Sequence, residues 1–218
     1  MKENHLTVPR TARYFTLGTP GEHLREVWFV CHGYGQLAEY FLRNFRTLDD
    51  GSRLIAAPEA LSRFYLTGAF ERIGATWMTR EDRLNEINDY VNYLDALYER
   101  VFSEIRRESV KVIAFGFSQG TATVCRWISR GAVKVDRLIL WAGQIPPELD
   151  LPGQKDIFSR VNLTVVLGTE DQYAKPELVA EQEARLKASS VPFQFISFAG
   201  GHVIDREALK ELARGEEV

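Results

Sequence analysis

Residues Val110 to Gly120 read VKVIAFGFSQG, a β-branched, apolar run that passes directly into Gly116-Phe117-Ser118-Gln119-Gly120. A helix-compatible stretch, Thr121 to Arg130, follows at once. Strand, tight turn and helix in that order, with serine at the turn, describe a nucleophile elbow. The turn holds the serine in a strained backbone conformation with its hydroxyl clear of the sheet edge. Glycine two positions either side removes the β-carbons that would collide there. Gly-x-Ser-x-Gly alone arises by chance in roughly one chain of this composition in twenty, so the weight rests on context. Here the motif sits between a buried-strand pattern and a helix start. His-Gly lies upstream, and an Asp and a His lie downstream in the order Ser, acid, His.

The rest of the chain is consistent with one α/β domain spanning 1–218. Of 218 residues, 45% are hydrophobic and 11% aromatic, enough for one sizeable core. Net charge is −3 with the charges scattered, so neither a nucleic-acid footprint nor a polybasic membrane anchor is expected. Cys31 and Cys125 each fall in an apolar pattern and read as free buried thiols, since a chain of this size needs no staple. The N-terminal MKENHLTVPRTARYF lacks the apolar core of a signal peptide, and no stretch approaches the ~18 apolar residues of a membrane span. A soluble cytoplasmic protein is the expectation, with the number of subunits left open.

Short apolar runs alternate with longer amphipathic ones, the pattern of crossover units around a mainly parallel sheet buried on both faces. Strands are expected near 11–17, 26–31, 53–57, 110–116, 138–142, 162–168 and 193–198. Helices are expected over 37–49, 81–107, 119–130, 176–189 and 205–214. The clearest helix carries Leu84, Ile87, Val91, Leu94, Tyr98, Val101 and Ile105 at alternating spacings of three and four, a stripe suited to packing on the sheet. Residues 58–80 resolve into no clear element. A connection of that length in a compact domain is commonly functional or conceals a short hairpin. Its aromatic content, Phe64, Tyr65, Phe70 and Trp77, together with the adjacent Met78, is expected to line a substrate cleft.

A serine hydroxyl needs a base to take its proton during attack on a carbonyl. Of four histidines, His202 follows the last strand in Gly200-Gly201-His202, and loops at the carboxyl ends of parallel strands share one sheet edge with the elbow. The base in turn needs a carboxylate on its far nitrogen. Glu170 and Asp171, after the preceding strand, both offer one, while Asp205 at a helix start reads as an N-terminal cap. The oxyanion formed by attack needs N–H donors worth ~10²–10³ in rate each. Gln119 N–H, at a helix start without an internal partner, supplies one, and Tyr34 N–H in Cys31-His32-Gly33-Tyr34-Gly35-Gln36 the other. His32 then reads as a loop-shaping hydrogen-bonder. No His-Glu-x-x-His, paired Cys or Gly-Lys-Ser/Thr motif is present, so no metal or other cofactor is expected.

HGYG at 32–35, the Trp77 patch before an acidic helix start, GFSQG at 116–120, GTEDQYAKP at 168–176 and GGH at 200–202 together resemble the α/β-hydrolase superfamily. Within it, the chain is similar to the phospholipase/carboxylesterase family that includes acyl-protein thioesterases. The resemblance covers most of the length. It implies an α/β-hydrolase fold with a mainly parallel central sheet of about seven strands, helices on both faces and no separate lid domain. It further implies Ser118 as nucleophile, Asp171 rather than Glu170 as acid, His202 as base, and Tyr34 and Gln119 as oxyanion donors. The chain departs from the family pattern at Thr121, where a second glycine is usual, at Leu167-Gly168 in place of His-Gly, and at Trp77-Met78-Thr79 in place of Trp-Phe-Asp. These changes surround the cleft and leave the implied catalytic residues intact.

The expected activity is a serine esterase acting on a small-molecule ester of small to medium size through an acyl-enzyme. Acyl preference should climb with chain length and stop at or below about eight carbons, because residues 58–80 are too few for a separate lid. The alternatives are an acyl-protein thioesterase or lysophospholipase acting on longer chains, a peptidase using the same residues, or a non-catalytic ligand-binding homologue.

Overall fold

A computed structural model describes residues 1–67 and 71–215. Seven strands, β1 (Tyr14–Leu17), β2 (Glu26–Cys31), β3 (Arg53–Pro58), β6 (Lys111–Phe117), β7 (Arg137–Trp141), β8 (Asn162–Gly168) and β9 (Phe193–Phe198), form one sheet. Its order is β1-β3-β2-β6-β7-β8-β9. Only the edge strand β1 runs antiparallel; the remaining pairs are parallel. Between them lie α1 (Ala38–Leu42), α2 (Arg83–Phe102), α3 (Gln119–Arg130), the short α4 (Lys155–Phe158), α5 (Pro176–Ala188) and α6 (Arg206–Arg214). Two further strands, β4 (Ser62–Thr67) and β5 (Arg72–Thr76), form a separate antiparallel pair, and Ala75 of β5 also bridges Gln36.

The strands read as continuous apolar runs because both faces of the sheet are covered. In β2, Val27, Phe29 and Cys31 enter one buried cluster with Ile87, Val91 and Leu94 of α2 and Trp127 of α3. Trp28 and Val30 alternate into the other cluster, with Phe41 of α1 and Leu209 and Leu212 of α6. Burying one such large apolar side chain contributes about 1.5–3 kcal/mol. The α2 stripe packs as its spacing requires, except at its first member: Leu84 lies in the first helical turn and stays exposed.

Three expected elements are redrawn. The first strand starts at Tyr14, with Arg13 engaged instead by Glu59 through its side chain (2.7 Å). The helix over 37–49 divides into α1 and a 3₁₀ turn, Arg43–Leu48. The helix over 81–107 stops at Phe102, where the chain turns back toward β6. Arg107 holds that turn by donating to Tyr98 Oη, the Val110 and Lys134 carbonyls and Asp136.

Within residues 58–80, β4 and β5 pair antiparallel, and burial alternates along β4 as period-two pairing demands. Periodicity alone is a weak guide here because β5 is short and carries Gly74-Ala75 where a strand usually shows bulky residues. Those small residues have a packing cause. A β-carbon on Gly74 would lie 2.5 Å from the Gly35 carbonyl oxygen, so the hairpin touches the 33–36 loop backbone to backbone. Gly35 N–H donates to the Ala75 carbonyl (2.9 Å) and Ala75 N–H to the Gln36 carbonyl (3.2 Å), locking the two segments together. No described helix is long and apolar enough to cross a membrane.

Candidate active site

Because β6 lies in the middle of the sheet, its carboxyl end delivers the elbow to the centre of one edge. Ser118 adopts φ 53° and ψ −116°, a conformation L-residues rarely occupy, and it costs about 1–3 kcal/mol wherever it persists. Three bonds hold it there. Ser118 N–H donates to the Trp141 carbonyl at the end of β7 (2.9 Å), while Thr121 N–H and Thr121 Oγ1 both donate to the Ser118 carbonyl (3.0 and 2.7 Å). Thr121 Oγ1 also lies 3.1 Å from the Gln144 carbonyl. The departure from glycine at 121 thus supplies a staple between the elbow and the loop after β7.

The flanking glycines are required by close approach. A β-carbon on Gly116 would fall 2.3 Å from the Gly120 oxygen, and one on Gly120 would fall 2.1 Å from the Cys31 oxygen. Both obstacles are backbone, which cannot swing aside. Gly120→Ala should destabilise the fold by about 2 kcal/mol or more through overpacking, lowering the melting temperature by roughly 4–8 °C. A calorimetric melt within 1 °C of the parent would contradict this packing.

β8 and β9 carry the next two residues to the same edge. After β8, Glu170 N–H donates to the Gly200 carbonyl (2.8 Å) and Asp171 N–H to the Gly168 carbonyl (3.2 Å), which ties the 168–171 turn to the loop after β9. Asp171 Oδ2 accepts from His202 Nδ1 at 2.8 Å, and His202 Nε2 lies 3.0 Å from Ser118 Oγ. A carboxylate only accepts hydrogen bonds, so Nδ1 carries the proton and Nε2 presents its lone pair to the serine hydroxyl. The Asp171 side chain is wholly shielded from solvent, and its second oxygen accepts from Tyr173 N–H at 2.8 Å. The imidazole is held between two rings, Phe117 at 5.0 Å and Tyr173 at 4.7 Å. Glu170 is exposed. Asp205 accepts from Ala208 N–H (2.8 Å) and caps α6.

On the other side of Ser118 lies the 32–36 loop. A β-carbon on Gly33 would stand 3.2 Å from Ser118 Cβ, so the loop backbone rests on the elbow. Gly33 N–H is committed to Gln36 Oε1 (2.8 Å) and Gly35 N–H to Ala75. Among the described residues, neither Tyr34 N–H nor Gln119 N–H has a hydrogen-bond acceptor. Two amides without an acceptor therefore adjoin the serine, one on each side of it. The Gln119 side chain fixes the arrangement from behind, accepting from Trp77 N–H (3.2 Å) and donating to the Met78 carbonyl (2.9 Å).

His32 is fully buried beside these groups. Its Nδ1–H donates to the Gly33 carbonyl (2.7 Å) and its Nε2 accepts from Ala60 N–H (3.1 Å), so it is neutral and shapes the loop. Burial lowers its pKa to about 4, from an ordinary value of ~6.5. The unfolded chain therefore takes up a proton between those values that the folded chain refuses. The contribution to stability is whole above pH ~6.5 and is lost as pH falls toward about 4, on the order of 3 kcal/mol in all. Urea midpoints should fall between pH 7 and pH 4.5, and the fall should be smaller in His32→Gln, which keeps a donor and an acceptor. Parallel pH profiles for the two proteins would refute this role.

The residues expected at a substrate cleft divide. Trp77 is only 2% exposed, with its indole N–H on the His32 carbonyl (2.9 Å) and its ring against His32 and Tyr90. It braces the loop from below, because the lock between Ala75 and the 35–36 backbone turns residue 77 inward, and the hollow it borders is walled by the N-terminal segment and α2, with none of Ser118, Asp171 and His202 in its lining. Met78 likewise packs against the core. Phe64 packs on Tyr34 at 5.2 Å, and Tyr34 is exposed, so these two form an open aromatic flank, while Tyr65, next along β4, is exposed on the opposite face of the strand. Phe70 lies outside the described residues.

Sequence reasoning did not single out Glu59, a buried carboxylate paired with Arg13 and Arg63, or Tyr173 beside His202. A lone acid after an apolar strand, with arginines 46 residues before it and four after, was the available signal for Glu59. Cys31 and Cys125 are free, and burial raises both thiols well above the ordinary range. Among the described residues, one group with cation-binding side chains, Glu3, His5 and Asp82, brings its ligand atoms within 4.8 Å of one another, all exposed.

No protein-family model matches this chain, and no curated protein sequence matches it. Solved structures do. Acyl-protein thioesterase 2 of Zea mays superimposes with a TM-score of 0.72 at 17% identity, covering 94% of this chain and 97% of that one. A carboxylesterase from Mesorhizobium loti gives 0.69 at 15% identity over 94% and 95%. The Bacillus cereus carboxylesterase gives 0.68 at 13% over 94% of each. With its seven-stranded sheet and serine elbow, this chain has the α/β-hydrolase fold that these esterases and the thioesterase share.

Proposed function

We propose that this chain is a serine hydrolase of carboxylic esters that uses only its own side chains and water. The observation that carries the reading is the continuous chain of hydrogen bonds from Ser118 through His202 to the buried Asp171. The esterase and thioesterase names of the structures sharing its fold agree with it.

In this reading Ser118 Oγ attacks the ester carbonyl as His202 Nε2 takes its proton. The carbonyl oxygen becomes an oxyanion that accepts from Tyr34 and Gln119 N–H. His202 then returns the proton to the alcohol oxygen as the C–O bond breaks, leaving an acyl-serine. Water attacks that ester with the same base, and collapse releases the acid and restores Ser118. Asp171 holds the imidazole in the tautomer with Nε2 free and stabilises the imidazolium of each half-reaction.

A fluorophosphonate probe should label the protein once, at Ser118, and p-nitrophenyl acetate should release nitrophenolate in a burst matching the labelled fraction. A folded protein that neither labels nor turns over any ester would overturn the reading in favour of a non-catalytic binding module.

A further inference from the structure

Glu59 follows β3 with its side chain 1% exposed, yet it has no part in the hydrogen bonds that join Ser118, His202 and Asp171. Its two oxygens take four donors from three segments. Oε1 accepts from Arg13 Nε (2.7 Å) and Arg63 Nη1 (3.2 Å). Oε2 accepts from Arg13 Nη2 (3.0 Å) and from the backbone N–H of Ala38 (3.3 Å). Both arginines are half-exposed. A carboxylate serving them alone would lie at the surface beside them, where it keeps its hydration. The bond that draws it inside is the one to Ala38.

Ala38 opens α1, and Leu37 before it has no side-chain oxygen with which to cap the helix. Glu59 supplies that acceptor from the end of a strand. One residue on, Ala60 N–H donates to His32 Nε2 (3.1 Å). Residues 59 and 60 therefore fasten both ends of the 32–38 segment, and Tyr34 lies between the two fastenings.

Resting on the esterase reading, we infer that Glu59 is a positioning residue, which by holding Ala38 keeps the Tyr34 N–H aimed at the oxyanion formed on Ser118. Tyr34 has little to hold it in place on its own. Its side chain is 60% exposed, and both its neighbours are glycines, Gly35 at φ 72°, so the peptide planes there turn at small steric cost. Gly33 N–H on Gln36 and Gly35 N–H on Ala75 shape the middle of the loop. Its seat against Ser118 also needs the ends held, because an oxyanion donor acts only over about 2.7–3.1 Å. A misplacement of ~1 Å is enough to cost about 10²-fold in rate.

The test compares the parent, Glu59→Gln, Glu59→Asp and Arg63→Gln in hydrolysis of p-nitrophenyl acetate and in inhibition by 1,1,1-trifluoroacetone. Ser118 Oγ adds to that ketone, its proton passes to His202, and the carbonyl oxygen is left as an oxyanion that reads the Tyr34 and Gln119 donors directly. Glutamine replaces one acceptor oxygen with an NH₂ group. Aspartate, one methylene shorter, keeps its charge for the flexible arginines and falls short of Ala38. Both should lower kcat about thirtyfold, less than the ~10²–10³ that outright loss of an oxyanion donor costs. KM should stay within about twofold, and the Ki of trifluoroacetone should rise by about the same factor as kcat falls. Arg63→Gln keeps the Ala38 bond and should hold kcat within about threefold of the parent. A purely structural role would lower the melting temperature and leave kcat and Ki of the folded protein unchanged. A folded Glu59→Asp with kcat within threefold of the parent, or a fall in kcat without the rise in Ki, would overturn the assignment. Loss of folding in both Glu59 variants, followed by circular dichroism, would give Glu59 to the fold alone and overturn it equally. A parent that takes no fluorophosphonate at Ser118 would instead overturn the esterase reading, and this assignment with it.

Discussion

On the proposed reading, Ser118→Ala is expected to leave a folded protein whose ester hydrolysis falls by about 10⁶ in kcat, the scale on which losing a triad nucleophile acts in serine hydrolases. Nothing in the fold depends on the hydroxyl. Ser118 is anchored through its backbone N–H and carbonyl, by Trp141 and Thr121, and alanine keeps both. His202→Ala should cost about as much, because a serine without a base at 3.0 Å is an ordinary alcohol. The double variant should be little worse than either single one, since neither group acts without the other. Stopped assays on p-nitrophenyl acetate, with circular dichroism to verify folding, give the numbers. Retention of a tenth of the parent rate in Ser118→Ala would remove it from the mechanism.

Asp171→Asn should cost about 10⁴ in kcat while Glu170→Gln costs less than threefold. The reason lies in the donors that Asp171 already holds. One oxygen accepts from Tyr173 N–H and the other from His202 Nδ1, so the site presents two donors to two acceptors. Asparagine replaces one acceptor with an NH₂ group. With its oxygen kept on Tyr173, the amide would face His202 and force Nδ1 to accept, moving the ring proton to Nε2. There it blocks transfer from Ser118. The exposed Glu170 makes no such demand on the imidazole. Equal losses in the two variants, or a larger loss in Glu170→Gln, would move the acid role.

Much of the site could be read along the chain because its parts are local signals. The elbow is contiguous: an apolar strand, Gly116 to Gly120 and a helix start determine one turn with Ser118 at its apex, whatever the remainder does. The strands after it could be placed from their apolar runs, and parallel topology sends every loop at their carboxyl ends to one edge. Thus residues 84 and 31 positions apart in sequence, Ser118 and Asp171 each with His202, converge without any local pattern naming the distance.

The surroundings could not be read this way, because they depend on backbone approaching backbone across long separations. Gly74 has no local reason in the sequence, and its reason is the close approach to Gly35; Thr121 looked like a departure until its hydroxyl met Ser118 and Gln144. Trp77 shows the same limit most clearly. A large aromatic side chain in an unassigned loop suits a cleft as well as a core, and its hydropathy is the same in both. The lock between Ala75 and the 35–36 backbone turns it beneath His32 and leaves Tyr34 exposed against Phe64. The sequence by itself determined the strand–elbow–helix unit and offered Ser118, His202 and the Glu170–Asp171 pair as candidates for the proposed chemistry, because periodicity and turn stereochemistry act over a few residues. Tertiary structure decided which aromatic side chains are buried and which stay exposed around the elbow, because that depends on contacts between segments that the chain order does not encode.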